Sequence, residues 1–169
     1  MEGGFPVQAF GAYLVGNQKT LAAGAGGTES LNLFQIIGTV EIEALMCEVT
    51  TALSAGALDA AHFEQHDGAA AIDLTLNTGV ISSLGIGSMF FKGGLVGENF
   101  TVLDNAVGAF AEHAADLLVF KRFVVTKKLG AATYVRLTYH NSGGGAATGV
   151  VRPSLIWRPK SQDGLVLPV

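Results

Sequence analysis

Thr133-Tyr134-Val135-Arg136-Leu137-Thr138-Tyr139-His140 is the stretch whose reading decides the fold. Successive side chains on a strand point to opposite faces, so Val135, Leu137 and Tyr139 share one side and Tyr134, Arg136, Thr138 and His140 the other. One side is mainly apolar and the other polar, the pattern of a strand with one face on a core and one in water. The chain continues as His140-Asn141-Ser142-Gly143-Gly144-Gly145-Ala146-Ala147-Thr148-Gly149. Beyond that loop Val151, Pro153, Leu155 and Trp157 alternate with Arg152, Ser154, Ile156 and Arg158. Two alternating runs across a glycine-rich loop predict a hairpin, and Pro153, which cannot donate to a ladder, predicts an edge position or a bulge. The loop is longer than hairpins prefer, so its spare length is expected to touch solvent or a neighbouring subunit.

Working outward, short β-prone runs punctuated by turn residues recur along the chain, as they do in sandwiches and barrels. Leu33 to Ile37, Ala60 to His66, Ala71 to Leu76, Ile86 to Phe91, Phe100 to Leu103 and Leu117 to Thr126 read as strands, with a short helical turn over Glu112 to Leu118 as an alternative where it meets the last. Thr39 to Leu53 supports two readings. Val40 and Ile42 alternate with Glu41 and Glu43, yet Ile42, Leu45, Met46, Val49 and Leu53 also fit a helical stripe; the β-branched content favours a strand. No helical segment of crossover length separates the strands. The expected fold is all-β, an antiparallel β-sandwich, with jelly-roll topology one candidate strand order.

Residues 1–30 differ from the remainder. Phe5, Phe10 and Tyr13 are spread along a segment that ends in Ala22-Ala23-Gly24-Ala25-Gly26-Gly27, and neither a strand nor a helix period holds there. Isolated rings on a flexible chain suit an arm that anchors on a neighbour, so residues 1–30 are expected as an extended N-terminal arm and 31–169 as the sandwich domain. Phe5, Phe10 and Tyr13 are the candidate partner contacts.

With 169 residues, a single domain can bury a sizeable core without disulfides or metals. Charged residues make up 14% of the chain against roughly 25% in an average soluble domain, which points to surface buried on other subunits. The net charge of -4 gives no general attraction to nucleic acid or to an anionic membrane, and Lys121-Arg122 with Lys127-Lys128 read as solvated strand ends. No apolar run is long enough to span a bilayer and Met1-Glu2-Gly3-Gly4 is unlike a secretory signal, so a soluble, non-secreted chain is expected. Cys47, the single cysteine, sits in an apolar run and reads as a small buried hydrophobe.

Tested for chemistry, these motifs yield no catalytic, cofactor-binding or metal-binding set. The glycine loop lacks the Gly-Lys-Ser/Thr ending of a phosphate loop and precedes a strand, whereas a phosphate cradle needs a helix N-terminus. Leu84-Gly85-Ile86-Gly87-Ser88-Met89 lacks the third glycine of a dinucleotide fingerprint. In His62-Phe63-Glu64-Gln65-His66-Asp67 a strand puts the two imidazoles about 13 Å apart, too far for one ion, and a solvated polar face is the simpler reading. Glu112-His113 with Asp116 has no serine or cysteine in a nucleophile setting, and Glu41, Glu43 and Glu48 read as the wet side of a strand. Trp157 between Arg152 and Arg158 suits a glycan or cation–π site, but core packing explains it more simply.

Ser30 to Leu53, "SLNLFQIIGTVEIEALMCEVTTAL", resembles the opening strands of small structural proteins of tailed bacteriophages, through Leu33, Phe34, Ile36, Gly38, Val40, Ile42, Leu45, Cys47 and Val49-Thr50-Thr51-Ala52. "SLIWRPKSQDGLV" is similar to their closing strand and Asp-Gly turn, through Trp157, Pro159, Asp163 and Gly164. The resemblance implies a virion component on the outer capsid surface, a decoration or cement protein without enzymatic activity. It implies binding to the major capsid protein and assembly with itself, typically as a trimer. Removing residues 2–27 is then expected to abolish capsid binding and leave the domain folded. A head-fibre or receptor- or glycan-binding sandwich using Trp157 is the second reading, and a metal-dependent enzyme using His62 and His66 the third.

Overall fold

A computed structural model describes residues 12–54, 56–92, 97–104 and 122–169. Its strands are β1 (Ala12–Val15), β2 (Lys19–Thr20), β3 (Gly27–Ile37), β4 (Thr39–Thr51), β5 (Leu58–His66), β6 (Ala71–Asp73), β7 (Met89–Phe91), β8 (Thr101–Leu103), β9 (Phe123–Thr126), β10 (Thr133–Asn141), β11 (Val150–Pro159) and β12 (Leu165–Pro168). A seven-stranded sheet runs β1-β11-β4-β7-β8, with β2 also on β11 and β9 also on β4; a five-stranded sheet runs β12-β3-β10-β5-β6. The two antiparallel sheets pack face to face as a β-sandwich, and no helix occurs among the described residues. Phe5, Phe10 and the expected helical turn over Glu112 to Leu118 lie outside the described residues.

Between the sheets, Val40, Ile42, Leu45, Cys47 and Val49 of β4 with Val151 and Leu155 of β11 meet Phe34 and Ile36 of β3, Phe63 of β5, and Val135, Leu137 and Tyr139 of β10. Phe63, Phe90 and Phe100 stack and tilt on one another, with centroids 5.5 to 6.1 Å apart. Cys47 is part of this core, and burial pushes its thiol far above the usual range, which makes it unreactive.

The two readings of Thr39 to Leu53 have one physical cause. Ile156 pairs with Ala44 but Trp157 with Ile42, so Glu43 is an extra residue on β4. Such a bulge flips the alternation. Val40 and Ile42 face the core before it and Leu45, Cys47 and Val49 after it, which produces the three-residue step that imitates a helix. β3 does the same at Leu33, skipped between the Phe34–Val135 and Asn32–Arg136 pairs.

The hairpin expected from β10 and β11 does not form. β10 pairs with β3 and β5 in one sheet, while β11 pairs with β4, β1 and β2 in the other. The glycine loop is therefore an arch across the edge of the sandwich, and both strands bury an apolar face because they line the same core from opposite sides. Its length serves that crossing: Ala147 N–H donates to Ala23 O (2.8 Å), Leu21 N–H to Gly149 O (3.0 Å), Ser54 N–H to Thr148 O (3.0 Å) and Ser142 N–H to Ala57 O (2.9 Å). Gly149 has a φ of 119°, and a Cβ there would lie 2.6 Å from Leu53 Cδ2 and 2.8 Å from Ala52 O. Gly149→Ala is expected to cost about 2 kcal/mol, from strain plus overpacking, read as a lower urea midpoint at unchanged slope.

Pro153 sits inside a sheet and away from the two register shifts of β11, at neither the edge nor the bulge expected for it. Its carbonyl accepts the Gly16 N–H (2.8 Å), so its missing donor points the same way, into the break between β1 and β2, and no bond to β4 is lost.

Residues 12–30, expected as arm, are built into the sandwich. β1 and β2 add to β11, β3 begins at Gly27, and Leu21 and Ala23 are buried in the core. Glycine and alanine hid this, because single buried residues between turns leave no period to read.

Candidate functional site

Two surfaces carry the residues singled out in the sequence. The first is β1, the outermost strand of its sheet among the described residues. Tyr13 is 64% exposed and Val15 44%, while Leu14 between them packs on the core. Ala12-Tyr13-Leu14-Val15 holds neither a charge nor a proline, the usual devices that keep an edge strand from pairing with another chain. Of the three candidate contacts, Tyr13 lies within the described residues and its ring is exposed. Trp157, in register with Ala12 of β1 and Ile42 of β4, is partly buried and packed against the core.

The second surface is the face of the five-stranded sheet turned away from the core. Here the register pairs Glu64 of β5 with Arg136 of β10 and Asp73 of β6, and His62 with Thr138. Arg136 donates to Glu64 Oε1 through Nε (2.8 Å) and Nη2 (2.6 Å), and Thr138 Oγ1 donates to the same oxygen (3.0 Å). A hydroxyl contact of 2.7 Å between Ser30 and Thr138 extends the network to β3. Glu64 is 4% exposed. Burial alone would raise its carboxyl, but His62, Arg136 and Thr138 hold it down at about 2.

His62 is 8% exposed, and its Nδ1 is 2.8 Å from Ala60 O. Its Nε2 faces Glu64 Oε2 at 3.5 Å and Asp73 Oδ1 at 3.6 Å. The Glu64 carboxylate raises the pKa of the ring against the opposing effect of burial, with help from Ala60 O and Asp73. His66 stands apart, its Nδ1 accepting the Gly68 N–H at 3.0 Å. Among the described residues the metal-capable group is therefore His62, Glu64 and Asp73, and His66 has no part in it. Sequence spacing alone did not expose Asp73 or Arg136, because their approach depends on strand register.

Other candidates resolve into structural contacts. Glu41 and Glu43 are held by Arg158 (2.6 and 2.7 Å) and Glu41 also by Lys160 (2.9 Å), on the outer face of β4. Arg122 adds two contacts of 3.9 Å to these glutamates, and Lys128 pairs with Asp67 at 2.9 Å, so these basic residues have acidic neighbours. Ser142, Asp59 and His140 bring together the residue types of a triad in the wrong order. Asp59 is central, taking the Ser142 hydroxyl (2.6 Å) and facing His140 Nδ1 (2.9 Å), so the imidazole is not placed to remove the serine proton.

Two residues the sequence reading passed over hold the arch. The Tyr139 hydroxyl donates to the Glu29 carboxylate, which also accepts Ala22 N–H (2.8 Å) and Ala23 N–H (3.0 Å). Burial, and then Glu29, push the Tyr139 hydroxyl up to about 12. Asn141 Nδ2 reaches Ala23 O (2.9 Å), Gly24 O (3.2 Å) and Gly145 O (2.7 Å), while its Oδ1 accepts Gly143 N–H (3.1 Å). That last bond is an Asx turn, for which an asparagine opening a glycine-rich loop is the available sequence signal. Compared with known proteins, the chain matches no family model, no curated protein and no solved structure.

Proposed function

We propose that the chain is a non-enzymatic virion component, a decoration or cement protein that sits as a trimer on the outer capsid surface and binds neighbouring subunits of the major capsid protein. The observation that carries this reading is β1, which presents Tyr13 and Val15 and, among the described residues, has no strand on its outer edge. An apolar, uncharged edge of this kind takes a strand or a groove from a partner by main-chain pairing. The low charge of the chain and its internally bonded arch suit a stiff element that acts through contact area.

The structure changes the deletion that tests it. Removing residues 2–27 would take Leu21 and Ala23 from the core, so the informative deletion is 2–11. Co-sedimentation with capsids of the encoding virus assembled without this protein is expected to show binding tenfold or more weaker for the deletion and for Tyr13→Glu/Val15→Glu. Far-ultraviolet circular dichroism should remain that of the full chain. Undiminished binding of both variants would sink the proposal.

A further inference from the structure

We propose that His62, Glu64 and Asp73 bind one divalent transition-metal ion of the zinc type, which ties the edge strand β6 to β5. His62 and Glu64 share one face of β5, and Asp73 is the register partner of Glu64 on β6. With Ala60 O beside Nδ1, a neutral His62 ring carries its proton on that nitrogen, which leaves the Nε2 lone pair aimed at two carboxylates. Three electron-pair donors meet there, all within 4.8 Å of one another. The arrangement is unfavourable unless a positive charge lies between them.

The distances are compatible with a bridging ion. Nε2 is 3.5 and 3.6 Å from the two carboxylate oxygens, long for direct hydrogen bonds. Two ligands of a tetrahedral ion with bonds near 2.0–2.1 Å lie about 3.3 Å apart, close to both Nε2 distances, and the Asp73 side chain, 52% exposed, has room to adjust. The surrounding contacts point the same way. Arg136 and Thr138 occupy Oε1 of Glu64 and leave Oε2 toward His62, while Ala60 O fixes the ring, the outer contacts by which metal ligands are usually oriented. Imidazole with carboxylates suits zinc, cobalt or nickel better than calcium or magnesium, and the exposed Asp73 gives entry and a water-filled fourth position. Among the described residues Arg136 is the cation paired with the group, and its pairing with Oε1 leaves a net negative charge from the two carboxylates and the guanidinium.

The rival occupant is a proton on Nε2. The full chain, stripped with EDTA and dialysed, is titrated at pH 7.5 with Zn2+ and with Co2+. Expected are uptake of one ion per chain, a visible d–d absorption for the cobalt form, and a melting temperature that rises with metal concentration. Asp73→Asn, at an exposed position that leaves the fold intact, and His62→Gln should each weaken binding tenfold or more, with His66→Ala unchanged. Lowering the pH should release the ion as His62 protonates. No stoichiometric uptake, or uptake undiminished in Asp73→Asn, overturns the proposal; in the first case the contact is held by the proton alone. Neither outcome depends on capsid binding.

Discussion

Asn141→Ala is expected to lower the stability of the domain by about 3 kcal/mol, measured by urea unfolding, while leaving it folded. The side chain is buried and joins segments distant in sequence: Ala23 and Gly24 ahead of β3, and Gly143 and Gly145 in the arch. Each hydrogen bond contributes about 1 kcal/mol, and truncation also strands the Gly145 carbonyl away from its donor. Asn141→Asp separates this account from simple loss of volume. It keeps the acceptor for Gly143 N–H but sets a carboxylate against three carbonyl oxygens, so at neutral pH it should be less stable than Asn141→Ala. The folded state then favours the protonated acid, raising its pKa above the unfolded value of about 3.9. Stability of Asn141→Asp relative to Asn141→Ala should be restored below about pH 4 and lost as the pH rises through the folded pKa. An aspartate no worse than alanine at every pH would mean that Asn141 does not act through its donors.

That residue also shows where sequence reasoning stops. Strand identity along β10 and β11 was legible because each keeps one apolar face, but which sheet each joins was not. A core lined from two sides gives two strands the same alternation that a hairpin would, and only bonds between distant segments separate a hairpin from an arch. β4 was legible as a strand through its β-branched residues, against a helical stripe that the extra residue Glu43 creates. Residues 12–30 were misread because Leu14, Leu21 and Ala23 bury singly among glycines. Of the candidate surfaces, Tyr13 was visible as an isolated ring, whereas the cluster around Glu64 required register. His62 and Glu64 stood together in the sequence, but Arg136 and Asp73 reach them only through β10 and β6.

Arg136→Met tests that register most severely, with an expected loss of about 3 kcal/mol or more at neutral pH. The substitution preserves much of the apolar stem but removes the two donors at 2.6 and 2.8 Å, leaving Glu64 buried with Thr138 and His62 alone. The penalty comes from the uncompensated carboxylate, so removing that as well should recover it. Arg136→Met/Glu64→Leu is expected to lie close to the wild type, and the coupling between the two sites to be as large as the single loss. Acid titration reads the whole set of contacts on Glu64, His62 first and then Arg136 and Thr138. Glu64 is held at about 2 against an ordinary value of 4.5, a difference worth about 3 kcal/mol. A depressed carboxyl stabilises the fold above its unfolded pKa, so this contribution is present above pH 4.5 and disappears as the pH falls toward 2. The wild type should therefore lose stability steeply across that interval, and Glu64→Gln more gently, the remaining slope coming from other paired carboxylates such as Glu41. Equal slopes in the two proteins would show that the contacts of Glu64 with His62, Arg136 and Thr138 do not stabilise the fold, and would place the stability of this face in its backbone ladder.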